Sequence, residues 1–243
     1  MDQKNIVILG GGVGGLDAAN QLRQSLGHKH RIILVEKKTE HAFAPSFLWV
    51  MTGQRKPEQI VREVRDLARP GVEVVHAEAR EINLDKRVVG INGNDLSYDY
   101  LIIALGTELA PDIIPGLSDN AHTFYTLDGG RKLHEALKSF KGGTIAIVVC
   151  STPYKCPGAP HEGAMLISDF FRKRGLRNQV KIQMFTPEPQ PMPVAGPALG
   201  EAVKQMLESK GIAFHPLRKL TAVNPKTNEL SFEDKSSVQY DLL

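Results

Sequence analysis

The chain begins with an unbroken apolar run, Ile6-Val7-Ile8-Leu9, which gives way at once to five glycines in "GGGVGG". The run predicts a short strand, and "GLDAANQL" beyond the glycines carries the spacing of a helix. A second apolar run, Arg31-Ile32-Ile33-Leu34-Val35, stops at Glu36 and predicts the next strand. Further on, the hairpin leading to Tyr98-Asp99 feeds a closing strand over Tyr100–Ala104, followed by a loop at Gly106-Thr107.

The same order of elements returns later in the chain. "RPGVEVVHAEAREIN" from Arg69 has a counterpart in "SKGIAFHPLRKLTAVN" from Ser209, with Gly71 matching Gly211. Tyr98-Asp99 matches Tyr240-Asp241, the strand Asn5–Leu9 matches Thr144–Val149, and Arg31–Val35 matches Val180–Phe185. An internal repeat of this kind means one architecture used twice. The expected fold is α/β: two consecutive Rossmann-like, three-layer domains. Residues 1–112 form the first, 113–143 a connector and 144–243 the second. The second is expected to end prematurely, because Tyr240-Asp241 is followed only by Leu242-Leu243.

Composition narrows the partners. With 243 residues, 42% hydrophobic and 23% charged, the chain reads as an ordinary globular protein. A net charge of +3 with no block of like charge points to no nucleic-acid partner. No apolar run approaches the roughly 18 residues of a membrane span, and the N-terminus leaves no room for a signal peptide. The expected location is cytoplasmic, with peripheral contact at the inner face of a membrane left open. Cys150 and Cys156 alone cannot build a disulfide scaffold or a four-ligand zinc site, so no metal is expected and any role they have is as thiols.

Gly10, Gly12 and Gly15 stand in the G-x-G-x-x-G spacing of a dinucleotide-binding turn. The first permits the tight turn, the second lets backbone approach a pyrophosphate, and the third lets helix and strand pack closely. Glu36, about 20 residues on, is where this fold places an acid on the adenosine ribose hydroxyls, which disfavours NADP and leaves FAD or NAD. Val13, Gly14, Lys37 and Ala79 complete the candidate set on this side.

At the matching place in the second half stands "VVCSTPYKCPGAPHEGAML". Pro153, Pro157 and Pro160 remove backbone donors there, and Gly158 alone cannot restore a pyrophosphate site, so NADH binding is expected to be lost. Cys156 lies just ahead of a helix expected to start near His161 or Glu162; a helix N-terminus and Lys155 favour the thiolate. Cys150 reads as a small core residue, and His161 as a packing or surface histidine.

The two-domain plan, closed by "YDYLIIALGT", resembles the flavoprotein disulfide-reductase superfamily, and by this resemblance FAD occupies the first turn with Ala104, Gly106 and Thr107 close to it. "TPYKCPGAPHEGAML" is similar to the active-site segment of the sulfide:quinone oxidoreductases and of the flavocytochrome c sulfide dehydrogenase flavoprotein. "FAPSFLWVMTG" resembles the flavin-side segment of the quinone-linked branch, making Pro45 and Ser46 candidates, and "TPEPQPMP" resembles its proline-rich loop. The resemblance implies that Cys156 takes a persulfide or disulfide state in sulfide oxidation and that electrons pass through FAD to quinone; Glu162 is a candidate proton acceptor, the alternative being that it caps its helix. It also implies membrane contact through a C-terminal part not in this sequence, and admits a homodimer. The sequence departs from the family pattern at His122–Gly130, which lacks the connector cysteine, and holds no C-terminal partner cysteine. Competing readings are a type II NADH:quinone dehydrogenase and a non-catalytic fragment or interaction module.

Overall fold

The computed structural model describes residues 2–243. In chain order the first half runs β1 (Asn5–Leu9), α1 (Val13–Leu26), β2 (Arg31–Glu36), β3 (Glu40–Ala42), α2 (Phe47–Met51), β4 (Val61–Glu63), α3 (Val64–Leu67), β5 (Val72–His76), β6 (Ala79–Asn83), β7 (Val88–Ile91), β8 (Asn94–Ser97) and β9 (Tyr100–Ile103). There follow α4 (Leu117–Asn120), α5 (Leu127–Ser139), β10 (Gly143–Val148), α6 (Ala159–Lys173), β11 (Val180–Phe185), α7 (Pro197–Ser209), β12 (Ile212–His215), β13 (Leu220–Asn224), β14 (Glu229–Phe232) and β15 (Ser237–Gln239). No helix among the described residues is long and apolar enough to cross a membrane.

The chain divides into two compact units, one of the residues up to Phe43 with Ile60–Leu109, the other of Ala44–Gln59 with Ala110–Leu243. In the first unit four parallel strands lie in the order β5-β2-β1-β9. Alternation along β1 and β2 explains why both runs are apolar at every position. Ile6, Ile8, Ile32 and Leu34 pack with Leu16 and Ala19 of α1, while Val7, Leu9, Ile33 and Val35 pack with Val89 of the antiparallel sheet β6-β7-β8. A strand covered on both faces has no polar position to spare. Helix, parallel sheet and antiparallel sheet are the three layers.

The second unit repeats this plan with β10, β11 and β12 in parallel and β13-β14-β15 antiparallel. Ile145, Ile147, Ile182 and Met184 join Leu137, Ile167 and Leu207 of the helices, and Ala146 and Phe185 join Leu230 and Phe232 of the antiparallel layer. The matched aspartates confirm the repeat bond for bond. Asp99 exchanges hydrogen bonds with Asn5, its carboxylate accepting the Asn5 N–H at 2.8 Å and its own N–H donating to the Asn5 carbonyl at 2.9 Å. Asp241 does the same with Thr144, at 2.7 and 2.8 Å. Leu242 then forms a parallel bridge with Ile145, where β9 pairs with β1 in the first unit.

Two boundaries differ from expectation. The segment Ala44–Gln59 belongs with the second unit: Leu48 and Met51 of α2 pack with Leu133 and Leu137 of α5. Residues 113–143 likewise form part of that unit rather than a free connector, since Ile114 and Leu117 pack with Val223 and Leu230. Short apolar segments carry no signal of which core they join.

Candidate functional site

The first turn forms because glycine alone fits it. Gly10 adopts φ +101°, and a Cβ there would stand 2.4 Å from the Ala104 carbonyl oxygen. A Cβ on Gly15 would stand 1.8 Å from the Gly10 carbonyl oxygen, so α1 closes onto the turn only as glycine. Gly12 is different: a Cβ would meet nothing within 4 Å. That open side is the approach a pyrophosphate requires, at the N-cap of α1, where backbone N–H groups and the helix dipole favour phosphate.

Glu36 ends β2 and reaches this turn. Its carboxylate accepts the Gly11 N–H and, at 2.8 Å, the Lys38 N–H. The Gly10 N–H donates to the Val35 carbonyl at 2.8 Å and the Ala104 N–H to the Leu9 carbonyl at 2.8 Å, so the ends of β1, β2 and β9 converge there. Val13, Gly14, Gly106 and Thr107 are exposed around the turn. Lys37 is exposed beyond β2, and Ala79 is half-buried at the start of β6, against the core behind the sheet. Sequence reasoning missed His41, whose Nδ1 lies 3.2 Å from the Gly11 carbonyl; a lone histidine after β2 gave no signal.

Of the two flavin-side candidates, both in the second unit, Pro45 is exposed while Ser46 is buried and its hydroxyl accepts from Arg55 at 2.8 Å. The Arg55 guanidinium also stacks over Trp49 at 4.0 Å.

In the second unit the register identifies what replaced the glycine turn. The Val149 N–H donates to the Phe185 carbonyl at 2.9 Å, the bond Gly10 makes to Val35 in the first unit. Val149 therefore stands where Gly10 stands, Cys150 where Gly11 does, and Thr186 where Glu36 does. Helix α6 starts at Ala159, earlier than expected at His161 or Glu162, with Pro160 in its first turn. Proline is tolerated there because that N–H has no helical partner to lose.

Cys156 is exposed, three residues before α6, in the left-handed region at φ +54°. Cys150 is half-buried; its thiol faces the Val148 carbonyl at 3.7 Å, and burial pushes it up to about 11. Glu162 presents an exposed carboxylate in the first turn of α6. His161 is buried, its Nδ1 3.1 Å from the Pro157 carbonyl, and burial lowers its pKa from the usual histidine value. It is thus a neutral packing residue.

The profile of the pyridine nucleotide-disulphide oxidoreductase family matches residues 4–243. The chain belongs to this family. Its relatives are FAD-dependent oxidoreductases, and FAD is the cofactor that the open turn at Gly12 fits. The mitochondrial sulfide:quinone oxidoreductase of Dictyostelium discoideum is 30% identical over 252 residues, covering 98% of this chain and 54% of that protein. The demethylphylloquinone reductase NdbB of a Synechocystis strain is 30% identical over 248 residues, covering 96% and 58%. The crystal structure of the Aquifex aeolicus sulfide:quinone oxidoreductase shares the fold with a TM-score of 0.84 at 23% identity, covering 97% of this chain and 56% of that one. The chain spans about half the length of the curated relatives it matches.

Proposed function

We propose that this flavoprotein oxidises sulfide, with Cys156 as the sulfur acceptor and quinone as the final electron acceptor. The observation that carries this reading is the exposed Cys156 thiol at the head of α6, in a turn whose first glycine is Val149 and whose strand-end acid is Thr186. Those replacements disfavour NADH as the reductant: valine bars the positive φ of the tight turn, and threonine offers no carboxylate to a ribose. The type II NADH:quinone dehydrogenase reading loses its substrate site by the same argument.

Gly12 and the N-terminus of α1 would hold the FAD pyrophosphate, and Glu36 the adenosine ribose. When bound, FAD supplies an acceptor for two electrons. Joining the sulfur of hydrosulfide to the Cys156 sulfur as a persulfide releases two electrons, which FAD would accept, and protons, and the exposure of Cys156 lets a small anion reach it. Glu162, exposed six residues further on in the first turn of α6, is the group to receive a proton released. Cys150, held half-buried and protonated, takes no part.

The test is anaerobic. The FAD-loaded protein is mixed with sulfide or with NADH and the flavin absorbance followed. Sulfide should bleach the flavin, Cys156→Ser should abolish that bleaching, and Cys150→Ser should retain most of it. Bleaching by NADH, or equal loss in both variants, would overturn the reading.

A further inference from the structure

In the first unit the strand-end carboxylate of Glu36 accepts the Gly11 N–H and so ties the turn after β1 to the end of β2. The second unit has Thr186 at that place, and a different carboxylate makes the corresponding tie. Glu188, two residues on in the proline-rich loop, accepts the Tyr154 hydroxyl at 2.8 Å, with the Pro157 carbonyl 3.4 Å from the same hydroxyl. Glu188 is itself fixed, its N–H donating to Thr186 Oγ1 at 3.2 Å and its carbonyl accepting the Leu217 N–H at 3.2 Å.

The loop so tied is the one that carries Cys156. Its carbonyl accepts the Tyr125 hydroxyl at 3.3 Å and the Ala159 N–H at 3.1 Å, and the next carbonyl, of Pro157, takes the His161 ring N–H at 3.1 Å. Cys156 sits at φ +54°, a region that a residue with a side chain occupies at a cost and keeps only where its surroundings over-determine it. Burial raises the pKa of both phenols, with Glu188 adding to the effect on Tyr154, so both hydroxyls remain donors throughout the neutral range.

We propose that Glu188 and Tyr154, with Tyr125, are positioning residues that hold Cys156 in its left-handed conformation and so aim its thiol. The proposal rests on the reading of Cys156 as the sulfur-carrying thiol, and it gives the proline-rich loop a role: it supplies the acid that the strand end no longer carries. Glutamine at 188 keeps an acceptor for the Tyr154 hydroxyl, whereas alanine does not.

The experiment places a nitroxide on Cys156 of the FAD-loaded protein in a Cys150→Ser background. Its motion is compared with that in Glu188→Ala, Glu188→Gln and Tyr154→Phe. A rigid spectrum is expected for the parent and Glu188→Gln, and a mobile one for Glu188→Ala and Tyr154→Phe. In unlabelled protein the limiting rate of flavin reduction by sulfide should fall about tenfold in the latter two, with the half-saturating sulfide concentration unchanged. Equal nitroxide motion in all four proteins would overturn the proposal. If sulfide fails to reduce the flavin of the parent protein, the functional reading falls, and the nitroxide spectra still decide whether Glu188 and Tyr154 fix the loop.

Discussion

Glycines of one motif have separable tasks. At Gly12 a side chain would enter open space, so Gly12→Val should leave the fold and melting temperature of the apoprotein near the parent's while flavin content drops to background. At Gly15 a methyl group would stand 1.8 Å from a backbone oxygen. Gly15→Ala should therefore lower the melting temperature itself, and a parent-like melting curve would refute that assignment. Asp99 offers a third test. Its N–H partner on Asn5, and then Lys4, hold its carboxyl below the usual carboxylate range. The sign follows: the stabilisation is present above the unfolded value of about 4 and is lost as pH falls through the lower folded value. Asp99→Asn should flatten this acid limb of a stability profile. The G-x-G-x-x-G spacing and Glu36 were legible from residue types. The Glu36 bond to Gly11, the His41 contact and the burial of the Ser46 hydroxyl were not, because each depends on where a neighbouring strand or loop ends.

At the level of elements, α6 shows what a proline-bearing helix start does. Pro157 and Pro160 bracket its N-cap at Gly158, so the helix begins before the apolar residues that marked it in the sequence. Its first turn carries His161 into the core, where burial keeps the imidazole neutral; His122 and His215 are lowered by burial as well. A histidine with a lowered folded pKa stabilises above the unfolded value and loses that contribution as pH falls below about 6.5. Stability should thus decline between neutral pH and pH 5, and His161→Gln should remove part of that slope in denaturant midpoints measured across the range. An unchanged slope would show that the other two histidines carry it. The repeat was legible at this scale, since strands and aspartates recur in order; the joining of α2 to the second unit was not, since five residues of apolar sequence fit either core.

For the molecule as a whole, one architecture is used twice and only one copy keeps a nucleotide turn. Saturation with FAD should therefore stop at one flavin per chain, and FAD but not NADH should raise the melting temperature, by linkage to the folded state. Two nucleotides bound per chain would contradict the replacement of Gly10 by Val149 and of Glu36 by Thr186 in the second copy. The sequence by itself determined the α/β class, the repeat, the first turn with its acid, and the proline-bearing cysteine segment ahead of α6. These rest on local rules: strand and helix periodicity, the φ that only glycine adopts cheaply, and the donors that proline removes. Tertiary structure alone decided that Val149 and Thr186 stand where Gly10 and Glu36 do, which core the segment Ala44–Gln59 joins, and which acid secures the cysteine loop. Those depend on hydrogen bonds between segments far apart in the chain, such as Val149 with Phe185 and Tyr154 with Glu188, whose pairing no local pattern encodes.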